Sequence, residues 1–319
     1  MAAYALFGGA DLGGGIWDLL ARGPRREAQR QAIARAMGPV WEANHVWLIF
    51  GLVLLFTAFP RAFGALSVGL FVPLHLVLLG IVLRGAAFAF RTAARTARAR
   101  QAWGAAFGGA SALAAFFLGM SLAAASGGAV RAPADGHVIA LPFLQWAARP
   151  LSVGMGALAV ALSAYLAAVY MTVETRGALQ EDFRKRALSS GAAVVALSGV
   201  LLPILRQDAR HLGEGLVERG LWSVLVPVGL LAVTAGLAVW HRRYRLGRVL
   251  AAGHVLVLLG SWGVAHWPYL IYPDLTLAES AAPAATLKVV LQAVPVGLAL
   301  LVPSLWLLFA MFKRGSTSQ

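Results

Sequence analysis

Apolar residues run through most of this chain in stretches of about twenty, separated by short segments rich in arginine. Neither the alternation of a half-buried strand nor the single stripe of a soluble helix dominates. Runs of this length match helices crossing a hydrocarbon core of about 30 Å, and they lack the dyad repeat of a membrane barrel. The pattern predicts about nine membrane helices, at about 2 to 20, 41 to 59, 65 to 90, 103 to 126, 150 to 173, 187 to 205, 221 to 240, 249 to 267 and 287 to 312. Residues 1 to 319 therefore read as a single integral membrane domain, an all-α polytopic transmembrane bundle. The connections are too short for a soluble domain.

Composition agrees. The 319 residues are 60% hydrophobic and only 13% charged, with a mean hydropathy of +0.74, too little polar surface to clothe a soluble globule. A net charge of +14 raises the question of nucleic acid, but the arginines lie in the connections, where they report orientation and contact with anionic lipid. Cysteine is absent, which excludes a disulfide framework, a thiolate metal site and a cysteine nucleophile. No basic region precedes the first apolar stretch, and Asp11 interrupts it, so it is predicted to be a helix of the bundle and not a cleaved leader.

Threading nine helices places Arg22, Arg25, Arg26, Arg30 and Arg35 on the same side as Arg91 to Arg100, Arg176 to Arg186, Arg242 to Arg248 and Lys313. The opposite connections are poorer in basic residues. By the positive-inside rule the N-terminus is expected outside and the C-terminus in the cytoplasm.

Two acids stand in or against apolar helix with little local compensation, Asp11 and Glu42. Carboxylates in such places face a partner or a water path, because leaving one ionised in lipid costs about 2.5 to 3.5 kcal/mol even on the mildest scale. For Glu42 the alternative is an acid stabilised by a helix N-terminus. Asn44 and His45 follow closely and suit a proton relay. Three glycines after Asp11 allow close approach of a neighbour, but without the lysine and hydroxyl of a phosphate loop they are no nucleotide site. Arg84 lies within the third predicted span and cannot shed its proton, so it needs a carboxylate, a carbonyl or another anion. Arg91, two turns on, is placed to pair or to snorkel. His75 and His254 fall within spans, where packing is the commoner role of a lone imidazole than ligation of a haem. Trp41, Trp47 and other tryptophans near helix ends read as interfacial anchors. The segment from His266 to Pro273 is an aromatic, proline-broken cap at the outer end of the eighth helix.

Several of these segments together resemble subunit II of the cytochrome bd-type quinol oxidases, in its cyanide-insensitive branch. The resemblance is carried by residues 9–13 (GADLG), 38–49 (GPVWEANHVWLI), 59–63 (FPRAF), 83–91 (LRGAAFAFR), 165–172 (YLAAVYMT) and 272–276 (YPDLT). It implies a subunit of a quinol oxidase in the bacterial cytoplasmic membrane that reduces oxygen to water. Haem b and haem d would be held by a haem-bearing subunit I, with quinol as the substrate of the complex and no cofactor bound directly here. This subunit would support assembly and a cytoplasmic proton path through Glu42, Asn44, His45 and Asp11. Many relatives carry aspartate where Glu42 stands, and an additional first-helix acid of some relatives is Gly8 here.

Its partners would be subunit I and membrane lipid, with a quinone in this chain left open; nucleic acid is not expected. From the residues alone two other readings stand: a proton-coupled transporter, which also uses acids and glycine-broken helices, and a purely structural assembly subunit.

Overall fold

The computed structural model describes residues 2–37, 41–133, 137–218 and 221–315, with side chains at 41–43, 217–218, 221–222, 224, 305–306 and 308–315 outside the description. The long helices are α1 (Ala2–Leu19), α3 (Trp41–Ala58), α5 (Phe71–Ala93), α6 (Ala97–Ser126), α8 (Pro150–Glu174), α9 (Gly177–Asp208), α11 (Leu221–Trp240), α12 (Tyr244–His266) and α14 (Ala284–Gly315). Each answers to one of the nine predicted spans. Five shorter helices join them: α2 (Arg26–Met37), α4 (Pro60–Gly69), α7 (Phe143–Ala147), α10 (Arg210–Glu218) and α13 (Leu277–Ser280). Two small antiparallel pairs, β1 (Val130–Arg131) with β2 (Ile139–Ala140) and β3 (Tyr269–Ile271) with β4 (Leu275–Thr276), close the end opposite the arginine-rich connections.

Among the described residues, six helices are long and apolar enough by themselves to cross a membrane: α5, α6, α8, α9, α12 and the 284–304 part of α14. The pair α3 and α4 adds a seventh crossing if taken as one broken span, bent by 117°. α11 is a shorter apolar helix, and α1 is diluted by glycines and two acids.

Two differences from the predicted division have local causes. The first connection is not a loop: Arg26–Met37 is an amphipathic helix that buries Ala32, Ile33 and Met37 against α8 and α9, and a fully buried Ile or Met contributes about 1.5–3 kcal/mol. The third span begins at Phe71 and not near 65. Pro60 supplies no N–H and forces Phe59 out of helical geometry (φ −137°, ψ 61°), so the chain turns there and starts a separate helix.

The bundle is tightest where α1 meets α6 and α8. Small residues bring these backbones together, and an added Cβ at Gly13 would collide with the carbonyl oxygen of Ser163. Trp17 crosses the same seam, its indole N–H donating to the Ala164 carbonyl at 2.7 Å. α14 lies at the other extreme: none of its apolar window is buried, and Leu291 (74% exposed) and Leu300 (69%) point away from the bundle.

The polar contacts sort the connections into two ends, as the threading requires. At the arginine-rich end, Arg25 pairs with Asp182, Arg184 donates to the Trp240 carbonyl at 3.0 Å, and Arg248 lies 3.8 Å from Glu174. At the other end, Arg131 pairs with Asp274, the Ala282 amide donates to the Ala58 carbonyl at 2.8 Å, and the Leu151 amide donates to Asp208 at 3.1 Å.

Candidate functional site

The polar centre of the molecule is a two-rung ladder between α1 and α5. Arg84 meets Asp11 through two parallel hydrogen bonds, Nη1 to Oδ2 at 2.7 Å and Nη2 to Oδ1 at 2.9 Å. Its Nη2 also reaches the Asp11 carbonyl at 3.3 Å, and its Nε donates to the Ser111 hydroxyl on α6 at 3.1 Å. Ser111 in turn donates to the Phe107 carbonyl, and the Phe107 ring stands 5.3 Å from the guanidinium. Both partners are sealed inside, with Asp11 2% and Arg84 1% exposed. Sequence spacing left Asp11 uncompensated; in the structure it is fully paired.

The second rung lies seven residues further along both helices. Arg91 Nη1 donates to both carboxylate oxygens of Asp18 at 2.9 Å, and Arg30 of α2 approaches the same residue, its Nε 3.2 Å from the carbonyl and 3.8 Å from Oδ2. Seven residues are about two helical turns, or about 10.5 Å of rise. Equal steps on both helices mean that α1 and α5 run parallel. Asp18 was missed because it sits near a predicted helix end, where acids are ordinary. The signal was in the spacing: Asp11 to Asp18 repeats Arg84 to Arg91.

Beside the deep rung is a cavity of about 10 Å³ lined by Asp11, Met37, Arg84, Phe88 and Phe107, room for about one water. Met37, the last residue of α2, forms its wall on the arginine-rich side. It also rests on Gly14, where an added Cβ would stand 3.0 Å from the methionine Cγ.

The remaining predicted residues fall as follows. The Glu42 and Trp41 side chains lie outside the described residues, as do Gly38, Pro39 and Val40. Asn44 is 2% exposed, and its amide nitrogen has no hydrogen-bond partner among the described residues. With Ala58 it is one of two buried residues among the described side chains of α3. His45 is half-buried, and Trp47 packs edge-on to Phe50 at 6.4 Å.

His75 and His254 stand in separate surroundings. His75 is exposed on α5, hydrogen-bonded to the Phe71 carbonyl at 2.7 Å and lying over the Phe71 ring. His254 is buried on α12, edge-on to Tyr165 at 6.2 Å. The described residues therefore do not bring these two imidazoles together as an axial pair, and no cluster of three metal-binding side chains occurs among them.

At the opposite end the His266–Pro273 segment folds into a clasp. His211 stacks on Tyr272 at 4.6 Å and Trp262 on His266 at 5.0 Å, while Asp274 receives two bonds from Arg131 and one from the Ala132 amide. The guanidinium holds the Asp274 carboxyl below its ordinary range.

Known proteins agree with this architecture. Residues 1–312 match the family model of cytochrome bd terminal oxidase subunit II. A Bacillus subtilis (strain 168) protein that carries the name cytochrome bd menaquinol oxidase subunit II is 24% identical over 324 residues, covering 98% of this chain and 92% of that one. A second protein of the same organism, a cytochrome bd ubiquinol oxidase subunit 2, is 40% identical over 65 residues, 20% of this chain and 19% of its own. In fold, the chain is similar to a chain of the bd oxidase from Geobacillus thermodenitrificans, with a TM-score of 0.81 and 23% identity over 97% of this chain and 94% of that one. The chain belongs to the cytochrome bd terminal oxidase subunit II family and is an integral membrane subunit of a hetero-oligomeric quinol oxidase.

Proposed function

We propose that this chain is the subunit that admits cytoplasmic protons to the oxidase and stabilises the assembly of a haem-bearing subunit I. The observation that carries the reading is the sealed Asp11–Arg84 pair beside a cavity the size of one water, whose arginine-rich side is walled by Met37 at the end of α2. Glu42 takes protons at the mouth. Asn44, a buried amide with donor capacity to spare among the described residues, and His45, one turn along from Glu42, order water behind it.

Both oxygens of Asp11 face the guanidinium. Transfer past this point therefore runs along the adjoining space, with the fixed charges orienting what occupies it. The arginine-rich end faces the cytoplasm, which puts the N-terminus outside. Haem chemistry and quinol oxidation are assigned in this reading to the partner subunit, as the resemblance to the oxidase family implies.

Oxygen consumption by the purified complex tests the reading. Glu42→Gln, at unchanged haem absorbance, is expected to lower turnover by about a hundredfold, the low end of what a positioned proton-transfer group contributes. Full turnover in an intact complex removes Glu42 from the route.

A further inference from the structure

We infer that Asp18 is a positioning residue for proton entry: together with Arg30 it seats α2 so that Met37 closes the arginine-rich side of the Asp11–Arg84 cavity. The inference rests on reading that cavity as part of the proton route.

Four observations converge on it. Asp18 is 1% exposed yet lies near the arginine-rich end, where an acid has no packing reason to be enclosed. It takes an arginine from each of two separate elements, Arg91 from α5 and Arg30 from α2. The polar side of α2 is fastened at a second place, where Gln29 donates to Asp182 at 3.0 Å and receives Arg186 at 2.6 Å. Finally, Met37, at the far end of the same helix, is only 6% exposed and walls the cavity between the levels of Asp11 and Asp18.

α2 is a short helix with few buried apolar residues, and such elements open locally at low free energy unless polar contacts hold them. Asp18 supplies one of those contacts from inside the bundle. Loosening it frees α2 to swing, carries Met37 off Gly14 and displaces the start of α3 that bears Glu42. Asp18 touches nothing in the cavity itself; it acts through Arg30 and Met37.

The absence of cysteine makes the test clean, because Met37→Cys places a single thiol in this chain. In membranes holding the intact complex, that thiol is expected to react slowly with a water-soluble, membrane-impermeant thiol reagent. Adding Asp18→Asn raises the labelling rate about tenfold, and Asp18→Glu brings it back toward the parent. Arg30→Gln leaves the Asp18–Arg91 rung intact and carries the same expectation where Asp18→Asn fails to assemble. With Met37 native, Asp18→Asn lowers kcat while KM for quinol holds, and Asp18→Glu recovers it.

Labelling unchanged in both Asp18→Asn and Arg30→Gln overturns the inference, as does faster labelling with kcat and KM both untouched. The two proposals fail separately. Full turnover in Glu42→Gln removes the proton route and leaves the labelling result standing, whereas flat labelling removes the seat of α2 and leaves the route.

Discussion

Three acid–arginine pairs, met at three depths, separate what a charge pair does for stability from what it does for function. Asp11–Arg84 is sealed, with guanidinium nitrogens bonded on α1 and α6. Asp18–Arg91 is enclosed on the carboxylate side, while the arginine side chain is 17% exposed and a second arginine stands by. Arg131–Asp274 is a surface clasp, with an arginine side chain that is 47% exposed. Arg84 and Arg131 each reach their carboxylate through two nitrogens and Arg91 through one, but the largest difference among the three is depth. The price of losing a partner should therefore follow depth, because a stranded buried charge is what costs most.

Arg84→Gln is the sharpest way to break this order. It strands the Asp11 carboxylate and is expected to destabilise the complex by about 3–5 kcal/mol. Apparent melting temperature read by tryptophan fluorescence checks it, and Asp11→Asn with Arg84→Gln should restore much of the loss. A single variant as stable as the parent would mean the site is wetter than its burial indicates. Arg91→Gln comes next, at about 1.5–3 kcal/mol, since Arg30 remains beside Asp18 and water reaches the opening. An effect as large as that of Arg84→Gln would erase the distinction between the two rungs.

The clasp should matter least, about 0.2–1 kcal/mol for Asp274→Asn. Its pH dependence has a definite sign. Asp274 is held below its ordinary range in the folded chain, so its contribution is complete above the unfolded value of about 3.9 and fades as pH falls through the lower folded value. Melting curves of parent and Asp274→Asn should therefore converge in acid and differ by a constant amount near neutrality. A gap that widens below about pH 4 contradicts the assignment.

The depth ordering also shows why some of this molecule was legible in its sequence. Among the described residues each of the nine apolar runs corresponds to a long helix, because lipid demands length and apolarity, and both are visible residue by residue. α2 was not visible that way. Its sequence, REAQRQAIARAM, carries arginine and glutamine at most surface positions, and its buried side is only Ala32, Ile33 and Met37 with the polar Gln29 and Arg30. A search for long apolar runs passes over it. The bend at Pro60 and the separate α4 follow from proline chemistry, but the extended apolar flanks hid them. Arg84 announced its need for an anion, and Asp11 its need for a cation. Their pairing required the third dimension, as did the recruitment of Asp18, whose seven-residue repeat with Asp11 becomes meaningful only once α1 and α5 are known to run side by side.

We propose that protons enter at the arginine-rich face and pass Glu42 toward the space beside Asp11. Sided proton uptake by the complex in vesicles, measured during oxygen reduction, tests it most directly. Glu42→Gln is expected to abolish most uptake from the arginine-rich face, with Glu42→Asp retaining a large part of it. Uptake from that face at the parental rate in Glu42→Gln, with the complex intact, would contradict it.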